Sequence, residues 1–284
     1  EELLLQSGEK LLRSGREKRL ESDHSITIRG NEWYDHAAEE GGFALSFARK
    51  HFGLSFQEAM ALLLGENGQA LLPTAKPIPE PSKPFALPPA AGNQRRVFGY
   101  LLGTRQIGRA VLSAFVRKGL VYEDLPYHNA VFVGLDAAGV PRHAHKRSTN
   151  SEGKSFRLNV EGSDPAHSFH WVGTSKQLYV FEAPIDLLSY ITLHPEGWQR
   201  HSYVALCGVS GQALFQRLKD QPDLGEVFLC LDNDQAGHTA CKRLMEQLAE
   251  QGGYAAERLC PQKKDWNDDL TCYSQEEVPA LRMG

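Results

Sequence analysis

What this 284-residue sequence lacks excludes several classes of protein. It has no apolar run near the roughly 20 residues that a transmembrane helix needs, and its first residues lack the basic and apolar regions of a signal peptide. Its five cysteines include no C-x-x-C pair, which argues against a disulfide framework or a cysteine-ligated metal. With 31 Lys and Arg against 35 Asp and Glu, it is not a uniformly basic coat for nucleic acid. We therefore expect a cytoplasmic globular protein with reduced thiols and no membrane partner.

The formal net charge of −4 hides an uneven distribution of charge along the chain. Residues 73–177 carry a net +7, whereas residues 178–284 carry −7 and residues 1–72 carry −4. Blocks of opposite sign in neighbouring segments indicate different tasks. We interpret the basic middle as a polyanion-binding surface and the acidic end as a source of metal-binding carboxylates. Chance drift in surface composition is the alternative.

Proline is concentrated in one stretch, which begins at Pro73 and contains seven of the 15 prolines. Proline at this density breaks helices and sheets and favours an extended, semi-rigid spacer. We therefore divide the chain into an N-terminal module (1–72), a linker (73–92), a basic region (93–176) and a C-terminal domain (177–284).

The N-terminal module is predicted to contain a short helix, a β-hairpin and two further helices. Residues 25–28 and 32–35 have strand character on either side of a turn that contains a glycine. A glycine pair at 41–42 precedes one helix, whose apolar residues have helical spacing. The sequence S-F-Q-E from Ser55 is a capping box that opens the last helix of the module.

Beyond the linker, the pattern changes from mixed to alternating elements. Helices at 95–102 and 107–119 and paired strands at 130–134 and 140–145 indicate an α+β region. From residue 177, apolar strands alternate with helices, which is typical of an α/β domain with a mostly parallel sheet. These strands are predicted at 178–181, 203–206, 227–231 and 255–259, with helices at 186–194, 212–219 and 237–250.

Carboxylates follow three of these strands, at the edge of the sheet where ligands of α/β proteins bind. Glu182 and Asp186 follow the first strand as E-x-x-x-D, and Asp232 and Asp234 follow the third as D-x-D. Asp265 comes after the fourth strand. Carboxylates brought together repel each other unless a cation neutralises them, and oxygen ligands favour Mg²⁺ or Mn²⁺. The sequence therefore predicts a site for a divalent metal among these five carboxylates.

The combination of these motifs resembles the Toprim domain, which bacterial primases, topoisomerases and some nucleases share. Over residues 177–272, V-F-E-A-P-I-D-L-L-S resembles its first motif, L-C-G-V-S-G its glycine-bearing second motif and L-C-L-D-N-D-Q-A-G-H its D-x-D motif. The run K-D-W-N-D resembles the primase K-D-P-D motif through Lys264 and Asp265. The resemblance implies a catalytic role for the five carboxylates and Mg²⁺ or Mn²⁺ as the cofactor. It also implies that Glu182, Asp232 and Asp234 are the metal ligands.

Two points within this resemblance leave alternatives open. Asn267 occupies the second acidic position of the K-D-P-D motif, and Asp268, one residue later, is the candidate to replace it. Each aspartate taken alone also has a second interpretation as a helix N-cap, Asp234 for the helix that starts near residue 236 and Asp268 for the last helix.

The N-terminal module resembles the zinc-ribbon domain of bacterial primases through W-Y-D-H and through G-G-F-A-L-S-F and L-S-F-Q-E-A. Its four zinc-ligand positions are occupied by Arg16, Arg19, His36 and Glu39, and arginine cannot bind a cation. We therefore predict a zinc-ribbon-like module that lacks zinc and whose hairpin is held by packing. The aromatic residues available for this packing are Trp33, Tyr34, Phe43 and Phe47.

The basic region resembles the N-terminal part of the primase catalytic core through V-F-V-G-L-D-A-A-G-V-P-R-H-A-H-K-R and K-S-F-R-L-N-V-E-G-S-D. The predicted contacts to nucleic acid or nucleoside triphosphate are Arg142, Lys146, Arg147, Lys154, Arg157 and Lys264. Other cations, Arg105 among them, are scattered over the predicted helices. His143 and His145 are expected to meet phosphate or solvent, with a metal pair as the less favoured alternative. Trp171 is interpreted as a core residue in preference to a base-stacking one.

The resemblance implies a primase-like nucleotidyltransferase that acts on single-stranded DNA and nucleoside triphosphates. The arrangement most resembles primase-like Toprim proteins of plasmids and conjugative elements, whose partners would be a helicase or a relaxase. Glu182 is either a metal ligand or a general base. A metal-dependent nuclease and a non-catalytic module that binds DNA or a partner protein are the alternatives.

Overall fold

The structure is a computed structural model that describes Leu4 and residues 8–14, 17–64, 84–150 and 155–277. The chain divides into two compact units, Glu1–Pro81 and Ser82–Gly284. The division falls within the proline-rich stretch, of which residues 73–83 lie outside the described part.

The first unit is built around an antiparallel sheet in which each strand pairs with the next along the chain. Its strands are β1 (Leu11–Ser14), β2 (Glu17–Leu20), β3 (Ile26–Arg29), β4 (Glu32–Asp35) and β5 (Glu40–Phe43). The predicted hairpin, β3 and β4, is therefore the centre of a larger sheet. The two predicted helices follow as α1 (Ala44–His51) and α2 (Phe56–Leu64). The capping box is formed, since Ser55 and Glu58 each donate a backbone N–H to the other's side chain.

A buried apolar cluster stabilises this sheet. Its members are Leu4, Leu20, Ile26, Ile28, Trp33 and Phe47. Tyr34 and Phe43, which the sequence assigned to the same packing, are exposed. The prediction was wrong for these two residues for a geometric reason. Tyr34 follows Trp33 along β4 and so points to the opposite face, while Phe43 ends the edge strand β5.

The zinc-ligand positions have other partners in this fold. Arg16 lies outside the described residues. Arg19 Nη1 donates to the carbonyl oxygen of His24 (2.8 Å), and His36 Nε2 lies 3.2 Å from Thr27 Oγ1. Burial, followed by the charge of Arg19, lowers the pKa of His36. Among the residues that the structure describes, no group of three or more His, Cys, Asp or Glu side chains could hold a metal ion.

The second unit begins with an α+β region, as predicted. Its helices are α3 (Arg95–Phe98), which continues as a π-helix (Gly99–Thr104), and α4 (Arg109–Arg117). An antiparallel sheet follows in the order β6 (Val121–Glu123), β7 (Ala130–Leu135), β8 (Pro141–Arg147) and β9 (Arg157–Asn159). Strands β7 and β8 are the predicted pair. In the turn between them, Asp136 Oδ1 accepts the backbone N–H groups of Ala138 and Val140.

The remaining residues form an α/β domain around a second sheet, in the strand order β10-β12-β11-β13-β14. The strands are β10 (His170–Trp171), β11 (Gln177–Phe181), β12 (Ser202–Ala205), β13 (Glu226–Leu229) and β14 (Ala255–Arg258). The last four are mutually parallel, whereas β10, which was not predicted, runs antiparallel to β12. The helices are α5 (Pro184–Leu193), α6 (Gln212–Asp220), α7 (Gln235–Gln251) and α8 (Trp266–Glu277).

One hydrophobic core joins the two sheets of the second unit. Phe115 of α4 packs against Phe169, Trp171 and Trp198, with ring centroids 5.1 to 5.7 Å apart. Trp171 is buried, which confirms its interpretation as a core residue, and Lys118 Nζ lies 4.0 Å from its ring centroid. The basic region and the α/β domain therefore share one hydrophobic core.

The five cysteines are all free thiols. Burial raises the pKa of Cys207 to about 12 and that of Cys230 well above its usual range, so both stay neutral. Within the described ranges, none of the helices combines the length and apolar character needed to cross a bilayer.

We expect Leu20→Ala to open the first unit locally. Leu20 is fully buried in a cluster of six residues, and a buried Leu→Ala change costs about 2–5 kcal/mol, which is large for so small a sheet. Hydrogen exchange of the full chain should show lost protection in β3 and β4. Leu12→Ala, at an exposed position of the same sheet, is the control and should leave exchange unchanged. Loss of protection in EDTA alone would instead show that a metal holds the sheet.

Candidate functional site

Two parallel strands bring the first carboxylates to one edge of the sheet. Strands β11 and β13 are neighbours, with Val180 opposite Leu229. Because parallel strands end at the same edge, Glu182, directly after β11, and Asp232, shortly after β13, meet there. Asp186 joins them from the first turn of α5. The structure therefore brings together three of the carboxylates that the sequence singled out.

Two of these three carboxylates each have an oxygen without a hydrogen-bond partner in the part of the chain that the structure describes. Asp186 and Asp232 are buried, and Glu182 Oε2 and Asp232 Oδ1 have no hydrogen-bond partner among the described residues. Burial, together with the charge of the neighbouring carboxylates, raises the pKa of Glu182 to about 7, that of Asp186 to about 8 and that of Asp232 to about 9. Such a cluster gains stability from protons or from a cation.

Asp234 and Asp265 each cap a helix. Asp234 Oδ1 accepts the N–H of Gly237 (2.9 Å) at the start of α7, and Asp265 Oδ1 accepts the N–H of Asp268 (2.7 Å) at the start of α8. The N-cap interpretation is thus confirmed for Asp234, but the last helix is capped by Asp265 and not by Asp268. Both capping carboxylates still raise the pKa of Glu182, so they lie close to the cluster.

Asn267, at the position where the motif has its second acid, ties α8 to the basic region. Its Nδ2 donates to the carbonyl oxygen of Arg105 and to Ser189 Oγ, both at 2.9 Å. Its Oδ1 accepts from Arg105 Nη1 at 3.0 Å, and its backbone N–H lies 3.4 Å from Asp186 Oδ1. A carboxylate could not donate, so aspartate here would lose both of the hydrogen bonds that Nδ2 donates. Arg105 was not predicted as a site residue, because its sequence context resembles that of the other scattered cations.

Two of the predicted cations lie with the carboxylates. Against the effect of burial, the charge of Arg157 on β9 lowers the pKa of both Glu182 and Asp186. Lys264 likewise lowers the pKa of Glu182. Both cations are exposed, so they can reach a ligand at the same sheet edge. The edge therefore presents positive and negative groups together.

The other predicted cations have partners elsewhere in the second unit. Arg147 Nε donates to the hydroxyl of Tyr100 (3.3 Å), Lys146 Nζ pairs with Asp124 (2.5 Å) and Arg142 Nε pairs with Asp136 (2.8 Å). Lys154 lies outside the described residues. The basic segment is therefore partly neutralised by its own acids.

His143 and His145 were expected to meet phosphate or solvent, and this was wrong. Both are buried, as is Ala144 between them, because β8 is an inner strand that is covered on both faces at these positions. Burial lowers the pKa of each histidine to about 4, so both are neutral at pH 7. His145 Nδ1 lies 2.7 Å from Asn159 Oδ1 on β9.

The donor set fits a divalent cation that is bound through few protein ligands. The two unpartnered oxygens, on Glu182 and Asp232, are hard donors of the kind that Mg²⁺ and Mn²⁺ prefer. Asp234, the third predicted ligand, uses one oxygen to cap α7. Since the described residues contain no group of three or more ligands around one point, such a cation would complete its shell with water or phosphate.

We expect the free energy of unfolding to fall as the pH rises from about 7 to about 9 in EDTA. A carboxyl whose pKa is raised by folding binds more protons in the folded than in the unfolded state, so higher pH favours unfolding over that interval. The buried histidines, whose pKa is lowered, act in the opposite direction only below about pH 6.5. Thermal unfolding at several pH values measures this slope.

Asp232→Asn should flatten the slope and raise the midpoint of thermal unfolding at about pH 8.5 by roughly 2–4 °C for each kcal/mol gained. The amide cannot ionise, so the folded state no longer has to hold a proton that the unfolded state releases at this pH. Asp223→Asn, at an exposed position, is the matched control and should retain the wild-type slope. An unchanged slope in Asp232→Asn would show that Asp232 is already ionised in the folded protein.

Two protein families match adjoining parts of the second unit. Residues 179–270 match a family described as Toprim-like, and residues 99–175 match a family described as a protein of unknown function, DUF3991. An uncharacterized protein of Bacillus anthracis, pXO2-78, is 26% identical over 292 residues, which cover 93% of this chain and 83% of the relative. An uncharacterized MG010 homologue of Mycoplasma pneumoniae is 34% identical over 79 residues, which cover 27% of this chain and 37% of that protein.

Solved structures of primases also superpose on the chain. The primase fragment of the bacteriophage T7 primase-helicase protein gives a TM-score of 0.48 at 14% identity and covers 91% of this chain and 94% of that chain. The zinc-binding and RNA polymerase domains of the Aquifex aeolicus primase give 0.44 at 16% identity, over 98% and 81% of the two chains. The Toprim-like match spans the parallel strands and all five predicted carboxylates. Residues 179–270 are therefore the part of this chain that is similar to the Toprim-like family.

Proposed function

We propose that this chain is a primase-like nucleotidyltransferase that joins nucleotides on a single-stranded DNA template with the help of a divalent metal. The observation that carries the proposal is the pair of unpartnered carboxylate oxygens on Glu182 and Asp232, with Arg157 and Lys264 beside them. Carboxylates and exposed cations at one sheet edge suit a substrate that brings both a metal ion and phosphates. A nucleoside triphosphate with Mg²⁺ or Mn²⁺ is such a substrate.

At the sheet edge, the carboxylates and the cations would have different roles. Glu182 and Asp232 would hold the metal, which when bound would neutralise the charge of the phosphates, and Asp234 could contribute its second oxygen. Arg157 and Lys264 would bind phosphate oxygens through charge-assisted hydrogen bonds. Asp186 and Asp265, which are bonded to the start of α8, would keep that helix in place beside the substrate.

Glu182 also has the protonation behaviour of a general base. Burial raises its pKa to about 7, so near neutral pH it can take the proton of an attacking 3′ hydroxyl. One oxygen cannot bind a cation and accept that proton at the same time. Glu182→Gln separates the two roles, because the amide oxygen can still bind a metal whereas the amide cannot accept the proton at neutral pH.

Two other functions would use the same residues. A nuclease would use water in place of the 3′ hydroxyl and needs the same metal. A non-catalytic DNA-binding or partner-binding module is supported by Asn267, which stands at an acidic motif position, and by the use of Asp234 as a helix cap. Enzyme assays with matched variants separate all three functions.

We place this activity in the replication or transfer of mobile DNA in the cytoplasm, with a helicase or a relaxase as partner. The support is the sequence resemblance to primase-like proteins of plasmids and conjugative elements. In this scheme the basic region (93–176) carries the template towards the Toprim-like domain (177–284). The N-terminal module (1–72), which precedes the linker (73–92) in the sequence, would act without zinc.

The test is template-dependent primer synthesis by the full chain with single-stranded DNA, nucleoside triphosphates and Mg²⁺ or Mn²⁺. We expect labelled products from the wild type and a loss of about 100-fold or more in Asp232→Ala, since loss of one electrostatic transition-state contact costs about that much. Asp223→Ala is the control, because it removes an exposed aspartate outside the cluster, and it should keep the wild-type rate.

The products distinguish the alternatives. Degradation of a labelled single strand without nucleotides, abolished by Asp232→Ala, would identify a nuclease. DNA binding that persists in EDTA, with no product in either metal, would identify a non-catalytic module. Undiminished primer synthesis by Asp232→Ala would reject the carboxylate edge as the active site.

A further inference from the structure

A second concave surface of the same unit lies on the antiparallel sheet and the β6–β7 loop. It is a groove of about 560 Å³, and the residues that matter to its chemistry are Arg96, Tyr127, His128, Lys146, Phe156 and Leu158. We call it the Tyr127 groove. Its lining includes none of the five carboxylates of the sheet edge.

The apolar side chains of the Tyr127 groove are unusually accessible to solvent. Tyr127 is 71% exposed, Leu158 46% and Phe156 39%. Large apolar side chains gathered on one exposed surface, with charged residues at the rim, are typical of a binding site. The groove therefore has the composition of a surface that a ligand covers.

Two buried carboxylates hold the loop that carries Tyr127. Asp124 is fully buried, and it pairs with Lys146 Nζ (2.5 Å) and accepts the backbone N–H of Asn129 (2.8 Å). Glu123, also buried, lies 2.6 Å from His128 Nδ1. Because Tyr127 lies between these anchored positions, its ring is presented from a fixed loop, which lowers the entropy cost of binding.

The same contacts decide the charge of the groove. Glu123 is buried and accepts the backbone N–H groups of Arg96 and Val97, and the charge of Asp124 is offset by that of Lys146. The side chain of Arg96 is exposed, and Lys146 Nζ lies 5.9 Å from the Tyr127 ring centroid. Cations beside exposed aromatic faces bind single-stranded nucleic acid, where bases stack and phosphates pair with the cations.

We propose that the Tyr127 groove binds single-stranded DNA by stacking an unpaired base against Tyr127 and Phe156, with the adjoining phosphates near Arg96. In a duplex the base faces are already stacked on one another, so the groove selects single strands. The choice of DNA as the strand rests on the proposed function. The binding itself needs neither metal nor catalysis, so the two proposals can fail separately.

The test is fluorescence anisotropy of a labelled oligothymidylate with the full chain in EDTA, where no metal bridges the carboxylates and the strand. We expect Tyr127→Ala to weaken binding about 5-fold to 100-fold, the range that loss of one stacked base gives. Tyr127→Phe keeps the ring and should bind within about twofold of the wild type. Tyr273→Ala, which removes an exposed aromatic side chain from α8, is the matched control and should not change the affinity.

Each remaining outcome has a defined meaning. Wild-type affinity in Tyr127→Ala and Phe156→Ala, or equal loss in Tyr273→Ala, would overturn the proposal. So would binding of duplex, or of an acidic peptide, that depends on Tyr127 as strongly as the single strand does. If Asp232→Ala keeps full primer synthesis while binding of the single strand still depends on Tyr127, the proposed function fails and the proposal for the Tyr127 groove holds. Since Tyr127 is so exposed, an unchanged thermal midpoint will show that the variant folds.

Discussion

The crowding of carboxylates at the edge of the parallel sheet is the constraint on which the rest of the second unit depends. Glu182 and Asp232 cannot avoid each other, because β11 and β13 are neighbouring parallel strands that end at the same edge. Asp186 adds a third acid from α5, and each one that ionises makes the next harder to ionise. Such an edge costs stability in the free protein, and a bound cation would restore it. That is the behaviour of a site and not of a structural core.

The crowding of carboxylates also accounts for the asparagine at position 267. An aspartate at this position would add another charge beside Asp186, whereas the asparagine adds none. Its side chain instead joins α8 to Ser189 on α5 and to Arg105 at the end of the π-helix. The departure from the K-D-P-D motif is therefore explained by hydrogen bonding between the two parts of the second unit. It also leaves fewer acidic ligands for a second cation, which sets this edge apart from one built for a metal pair.

The sequence predicted the features that neighbouring residues determine, and it missed those that depend on contacts between distant parts of the chain. The alternating strands and helices after residue 177 were predictable, because buried parallel strands are continuous apolar runs. The exposure of Tyr34 was missed, since composition does not tell which face of a strand is covered. His143, which follows Arg142 in a basic segment, was expected to meet phosphate or solvent but is buried on an inner strand. No sequence pattern relates Arg105 to Asn267, 162 positions away, so that contact could be found only in three dimensions.

The net +7 of residues 73–177 has a different meaning once its partners are known. Lys146 and Arg142 are paired with Asp124 and Asp136 of the same segment, and the first of these pairs fixes the loop that presents Tyr127. Only cations without such partners release counterions when a strand binds, so the bulk charge overstates the electrostatic attraction. Part of the positive charge of this segment therefore stabilises the fold through ion pairs. Recognition of a single strand in the Tyr127 groove then depends more on stacking than on charge, and its affinity should fall less steeply with salt than a count of basic residues implies.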